Sequence, residues 1–335
     1  SRGLGDVYKR QMHMSDGLIS TPVAAVAAVA AATLIAVAGS KVRKTSRTDL
    51  VPLTGVLGAF VFAAQMINFS IPGTGSSGHI IGGVLLAAFL GPWAAFLALS
   101  SVLIIQCLIF ADGGLLALGC NILNMAAMSC LVAYPLIYRP LVARGASTAR
   151  IMCASVIACT VALEMGACLV AVETKLSGVT ALSTGRFLLL MTAIHLAIGI
   201  GEGLATGAVL GFVRRVKPSL LAPEPPVATV RRSAPMGAVA AFAVAAAVIA
   251  GGLSFAASQD PDGLEWSVER VAGTSELGND AAAAVAAGRV QQATAAMPDY
   301  DNTLSGIIGA VLVMLTVWGV CSLLSRKRVA VKVKN

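Results

Sequence analysis

The sequence predicts an all-α, polytopic membrane protein: a bundle of seven helices followed by a module of two. Three observations carry that prediction. Hydrophobic residues make up 57% of the 335-residue chain and charged ones only 12%, about half the charged share of a soluble globule. Apolar runs recur along the chain, and roughly 20 apolar helical residues cross the hydrocarbon core of a bilayer. The net charge of +8 is spread in short clusters beside those runs, as positive-inside topology requires, rather than in one stripe that would suit nucleic acid.

In chain order, residues 1–11 (SRGLGDVYKRQ) are polar, lack the apolar core of a signal peptide, and read as a non-native or disordered leader before a start at Met12. Apolar spans follow at about 19–39, 50–70, 81–111, 114–138, 151–173 and 187–213, with two more near 236–257 and 304–324. The run 81–111 is too long for one upright helix, since its thirty-one residues would reach about 46 Å against a core of about 30 Å. Gly91-Pro92 divides it, because proline ends one helix and opens the next. Topology agrees. The basic clusters Lys41, Arg43, Lys44 and Arg47; Arg139, Arg144 and Arg150; Arg214, Arg215 and Lys217; and Arg326, Lys327 and Arg328 all fall on the cytoplasmic side only if 81–111 is two helices.

This division gives a membrane core over 12–217, a proline- and arginine-rich cytoplasmic linker over 218–235, a two-helix module over 236–326 and a basic cytoplasmic tail over 327–335. The native amino terminus and the loops 71–80, 111–114, 174–186 and 258–303 then face outward. Loop 258–303 holds Asp260, Asp262, Glu265, Glu269, Glu276, Asp280, Asp299 and Asp301 against Arg270 and Arg289. Such a loop either attracts cations or is a solvated tether.

The seven cysteines lie in apolar segments without a CxxC pair, the pattern of small apolar packing. Of the three histidines, His13 and His79 fall on the same outer face. With Met12 as the first residue, its α-amine, the His13 amide nitrogen and the His13 imidazole can wrap one ion in adjoining chelate rings, and His79 can add a fourth nitrogen. Four nitrogens in a plane suit Ni(II) or Cu(II), admit low-spin Co(II), and disfavour Mg2+ and Ca2+. Bound imidazoles are neutral, so capture should weaken in acid. The same residues also read as an incidental histidine and a helix cap. Asn121 and Asn124 sit one turn apart on the fifth helix. Glu164, His195 and Glu202 lie within spans, where ionisable groups usually face the bundle interior. Glu202, placed nearer the cytoplasmic half, reads as packing or partner coupling.

The segments MHMSDGLIS, GTGSSGHIIGG onward from Gly73 to Ala126, and HLAIGIGEGLATGAVLGFV from His195 to Val213 resemble the CbiM/NikM family, the substrate-binding component of energy-coupling factor nickel and cobalt transporters. The similarity covers most of Met12 to Val213. It implies an ion held by the amino-terminal amine and a backbone nitrogen, the second-residue histidine and a loop histidine, here Met12, His13 and His79. Two departures bear on loop geometry: Met14-Ser15 replaces Ile-Pro, and the loop reads GTGSSGH with one residue extra. An eleven-residue leader would turn the amine into an amide. Asn121, Asn124, His195 and Ser77 are candidates for orienting the ligands by hydrogen bonds, with helix-to-helix bonds as the alternative. DPDGLEWSVER, Asp260 to Arg270, carries the PDGLE signature of a small accessory component of such systems, and MPDYDN agrees with it. That fusion leans the ion towards nickel, and Asp262 and Glu265 are candidates for handing ions to the site.

No G-x-x-x-x-G-K-[ST], HExxH or GxSxG occurs, so neither P-loop ATP hydrolysis nor a familiar hydrolase is encoded. The expectation is a transporter subunit, not an enzyme, with no cofactor beyond the transported Ni2+ or Co2+. Its partners, by the resemblance, are a transmembrane coupling subunit and cytoplasmic ATPases docked on small-residue helix faces. It sits in the inner (plasma) membrane with its carboxy terminus inside. The alternative is a proton-coupled secondary carrier relaying protons through Glu164, His195 and Glu202.

Overall fold

The computed structural model describes residues 13–45, 51–142, 146–221, 236–252, 257–274, 277–298 and 303–326; Met12, most of the linker and the basic tail lie outside them. Apolar sequence in a bilayer must satisfy its own backbone, and helices do so within one segment. The helices are α1 (Thr21–Thr45), α2 (Val51–Gln65), α3 (Gly83–Leu90), α4 (Pro92–Phe110), α5 (Leu118–Leu141), α6 (Thr148–Ser177), α7 (Thr184–Val216), α8 (Met236–Gly251), α9 (Gly263–Ala272), α10 (Ala282–Thr294) and α11 (Thr303–Arg326). Six of them, α1, α4, α5, α6, α7 and α11, are long and apolar enough to cross a membrane. The chain is a multi-pass all-α membrane protein, as its composition predicts.

The long apolar run does break at Gly91-Pro92. Gly91 has φ +79° and ψ 164°, and Pro92 opens α4. That backbone region belongs essentially to glycine. Nothing lies within 4 Å of where a side chain at Gly91 would begin, so Gly91→Ala isolates the backbone cost. We expect it to destabilise the protein by about 1–3 kcal/mol, read as a lower thermal midpoint in detergent; an unshifted midpoint would show the break to be indifferent to glycine.

With eight residues, α3 rises only about 12 Å, less than half of the hydrocarbon core. Residues 81 and 82, apolar by sequence, do not extend it. The segment before α3 is instead drawn into the bundle as an antiparallel hairpin of β1 (Phe69–Ile71) and β2 (Ser76–Gly78), in which Phe69 pairs with Gly78 and Ile71 with Ser76. Ser76, Ser77 and Ile81 are buried. Non-helical backbone at such depth is tolerated only where protein satisfies it: Gln65 Nε2 donates to the Ile81 carbonyl (2.8 Å), and Gln106 Nε2 to Gln65 Oε1 (2.8 Å). Within 71–80, Ser76, Ser77 and Gly78 are packed into the bundle while Pro72, Gly73 and Gly75 stay exposed.

The carboxy-terminal module holds two apolar helices, α8 and α11, packed against α2 and each other. Its outer loop is neither free nor featureless. It folds into α9 and α10, and its apolar residues Leu264, Val268 and Leu277 join Met14, Leu18 and Ile19 of the amino-terminal segment in one cluster. Asn279 Nδ2 donates to the carbonyls of Asp16 and Ile19 (2.9 Å each), and Gln291 Nε2 to that of Gly113 (2.7 Å). Five cysteines, Cys107, Cys120, Cys130, Cys159 and Cys321, are buried, while Cys153 and Cys168 are exposed; none of them is in a disulfide.

Candidate metal site

In the amino-terminal segment, residues 13–15 form no regular structure and lead into a 3-10 turn at Asp16–Leu18. Asn121 of α5 holds the segment. Its Oδ1 accepts the Met14 N–H (3.0 Å) and its Nδ2 donates to the Met14 carbonyl (3.1 Å), which also accepts the Gly114 N–H (2.9 Å). Two residues on, Asp16 Oδ1 accepts the Ala117 N–H (3.0 Å). These bonds fix His13, 3% exposed, against the inner wall.

His79 arrives from the other side, at the end of β2. The turn behind it is held by Glu202, whose two oxygens accept the N–H groups of Ile81 (2.8 Å) and Gly82 (2.9 Å). Glu202 lies near the middle of the 33-residue α7 and is 1% exposed. Of the two sequence readings of this residue, packing and partner coupling, its contacts fit packing: a buried carboxylate needs donors, and the turn next to His79 provides them.

The rings of His13 and His79 meet edge to face, with centroids 5.6 Å apart and planes at 73°. His13 Nε2 and His79 Nδ1 are buried without a hydrogen-bond partner among the described residues. Buried polar atoms in native proteins are nearly always paired, and unpaired ring nitrogens on adjacent imidazoles could serve as donors to a metal ion. Asp112 Oδ1 lies 3.0 Å from His13 Nδ1. No three His, Cys, Asp or Glu side chains are grouped to hold an ion among the described residues; the side chains supply part of a donor set and main-chain nitrogens would have to supply the rest.

Burial, reinforced by the neighbouring His13, pushes the His79 imidazole from an ordinary value near 6.5 down to about 3. It is therefore neutral at physiological pH, the form that binds metal. Because the folded value lies below the unfolded one, the unfolded chain takes up the proton first as pH falls. The contribution of His79 to stability is intact above about 6.5 and is lost progressively towards 3. The thermal midpoint is expected to drop between pH 7.5 and pH 4.5; equal midpoints would contradict a neutral buried His79.

A cavity of about 70 Å³ opens between the two imidazoles and is lined also by Asn121, Asn124, His195 and Asp262. Met12 lies outside the described residues. Asn124 Nδ2 donates to Glu173 Oε2 (2.7 Å), and His195 Nδ1 lies 2.7 Å from the Met191 carbonyl. Ser77 does not line the cavity. Its N–H and hydroxyl go instead to the carbonyls of Pro261 and Asp260 (2.8 Å each), and Ser77 and Asp262 form a parallel bridge. Trp266 Nε1 donates to the Thr74 carbonyl (3.1 Å). The PDGLE segment is in this way stitched to the His79 hairpin, and Asp262 and Leu264 close the cavity from the module's side. Sequence reasoning passed over Asp112, Gln65 and Glu173. Only Asp112 left a signal, as a lone acid in the turn between two apolar runs.

Residues 13–220 match the CbiM family, described as the cobalt uptake substrate-specific transmembrane region. The chain belongs to the CbiM family. Residues 236–326 match the PDGLE domain. Among relatives, this CbiM-family chain is 32% identical to one from Archaeoglobus fulgidus, assigned as a fused nickel transport protein NikMN, with 90% of this chain and 96% of that one covered. It is 30% identical to the fused nickel transport protein NikMN of Rhodobacter capsulatus, with 90% and 95% covered. The crystal structure of a truncated transition metal transporter superposes with a TM-score of 0.54 at 33% identity, covering 61% of this chain and 99% of that one.

Proposed function

We propose that this CbiM-family chain captures Ni2+ or Co2+ as the substrate-specific component of an energy-coupling factor uptake transporter. The ion is held on the outward side by the Met12 amine, the main-chain nitrogen and imidazole of His13, and the imidazole of His79. The pair of buried imidazoles with unpaired nitrogens carries this reading. Nitrogen donors on a d8 ion favour nickel, and the PDGLE fusion is shared with relatives named for nickel transport. Asn121 orients the chelating segment through Met14, and His195 and Asn124 shape the cavity wall. Hydrolysis of ATP by partner subunits reorients the bundle and releases the ion inward.

A proton-coupled carrier has less support. Two of its three relay groups are engaged elsewhere, His195 at the Met191 carbonyl and Glu202 at two amides. The test is radionickel uptake by cells expressing the chain alone, with a coupling subunit and ATPases, and with ATPases disabled in hydrolysis. Accumulation only with active ATPases supports the proposal. Accumulation by the chain alone, abolished by a protonophore, would replace it with the carrier.

A further inference from the structure

We infer that Glu173 is a positioning residue of the capture site: through Asn124 it aims a carbonyl oxygen at the cavity, where that oxygen accepts the N–H of a metal-bound imidazole. The inference rests on reading His13 and His79 as the capture site. A carboxylate only accepts, whereas an amide carries two donors at one end and an acceptor at the other. Glu173 Oε2 accepts from Asn124 Nδ2 at 2.7 Å, so the amide cannot turn over without setting two acceptors against each other. Oδ1 is then the end left for the cavity that Asn124 lines. It is buried and has no hydrogen-bond partner among the described residues. Buried acceptors are nearly always paired in native proteins, so a donor to Oδ1 belongs to what fills the cavity.

The ion's own ligands bring that donor. An imidazole that binds a metal through one ring nitrogen keeps its proton on the other, and a ligating histidine almost always gives that proton to an acceptor. His13 Nε2 and His79 Nδ1 are buried without a partner, and both residues line the cavity with Asn124. Other polar groups of the wall are committed. Asn121 serves Met14 with both ends of its amide, His195 Nδ1 lies at the Met191 carbonyl, and Asp262 Oδ1 accepts the Glu265 N–H. The support behind Asn124 is firm: it and Glu173 are 3% and 9% exposed, and the Cys120 thiol donates to the same carboxyl. Helix α6 lies so close to α5 that a side chain at Gly166 would begin 2.8 Å from the Asn124 carbonyl oxygen. A charged partner on Nδ2 also polarises the amide and strengthens Oδ1 as an acceptor. The four-nitrogen shell is untouched, because Glu173 acts two hydrogen bonds behind it by raising the basicity of one ring.

The test uses the full chain from Met12 onward in detergent. Titration gives the Ni2+ affinity, and Cu2+ loaded as a probe of the same nitrogens reports the remote ring nitrogen of each bound imidazole through electron spin-echo modulation. Glu173→Gln is expected to weaken Ni2+ binding about 10–100-fold and to shift the modulation, because a neutral amide no longer fixes which end of Asn124 meets the cavity. The double variant Asn124→Leu, Glu173→Leu removes the pair without orphaning either partner, so it should melt close to wild type and yet bind as weakly as Glu173→Gln. Given that shift, a modulation that still moves on Glu173→Gln in the His79→Ala background assigns the bond to His13, and one that does not assigns it to His79. A modulation unmoved in both variants overturns the inference even where affinity falls, since a merely structural role weakens binding without touching the remote nitrogen. Affinity within threefold of wild type in both variants overturns it as well. Wild-type protein that binds no Ni2+, or His79→Ala that binds as tightly as wild type, removes the capture site and this inference together.

Discussion

His79→Ala is expected to lower Ni2+ affinity by roughly 100-fold or more, while the protein still folds. A four-ligand site contributes about 10–16 kcal/mol, so each ligand carries a few kcal/mol and its loss shows as two decades or more in the dissociation constant. The loop itself should survive, because its fixation comes from Glu202 and Gln65 and not from the imidazole. Isothermal titration and a melting curve on the same preparation separate the two effects. Affinity within threefold of wild type would remove His79 from the ligand set.

Glu202→Ala should act in the opposite sense, on the fold first and on the ion through it. It strips two amides of a charged acceptor, each bond contributing about 1.5–3 kcal/mol, and leaves those amides buried beside apolar helix. A loss on the order of 3 kcal/mol or more is expected, together with faster amide exchange at Ile81 and Gly82 and weaker ion binding. Glu202→Gln keeps one acceptor but turns an N–H2 towards the second amide, so it should fall between. Wild-type exchange at Ile81 and Gly82 in Glu202→Ala would mean that the turn is held by other groups.

Much of this architecture is readable from sequence because membrane helices declare themselves. Hydropathy places the long spans, and Gly91-Pro92 announces the break in the run that is too long. The placing of His13 and His79 on one side follows from counting crossings, since two apolar spans lie between them. The shortness of α3 does not show, because Ile81 and Gly82 are as apolar as the helix they precede and only their hydrogen bonds to Glu202 betray a turn. Glu202 misleads for the same reason: its position within a span says that it faces inward, but not which distant backbone it meets. Asp112 comes within reach of His13 only through the packing of α5 on the amino-terminal segment, a contact with no local pattern. The PDGLE segment is conspicuous as a motif, yet nothing in its charges tells that Ser77 and Asp262 share a bridge.

That bridge separates two properties of a carrier that are often assumed to move together. The donors around the cavity belong to the membrane core, whereas Asp262 and Leu264 above them belong to a module joined through a linker. Residues of both therefore enclose the place proposed for the ion. Substitutions within residues 257–274 that leave the core intact are expected to change the rate of ion release more than the dissociation constant, which stopped-flow release beside equilibrium titration would show; equal changes in both would place the segment among the groups that hold the ion.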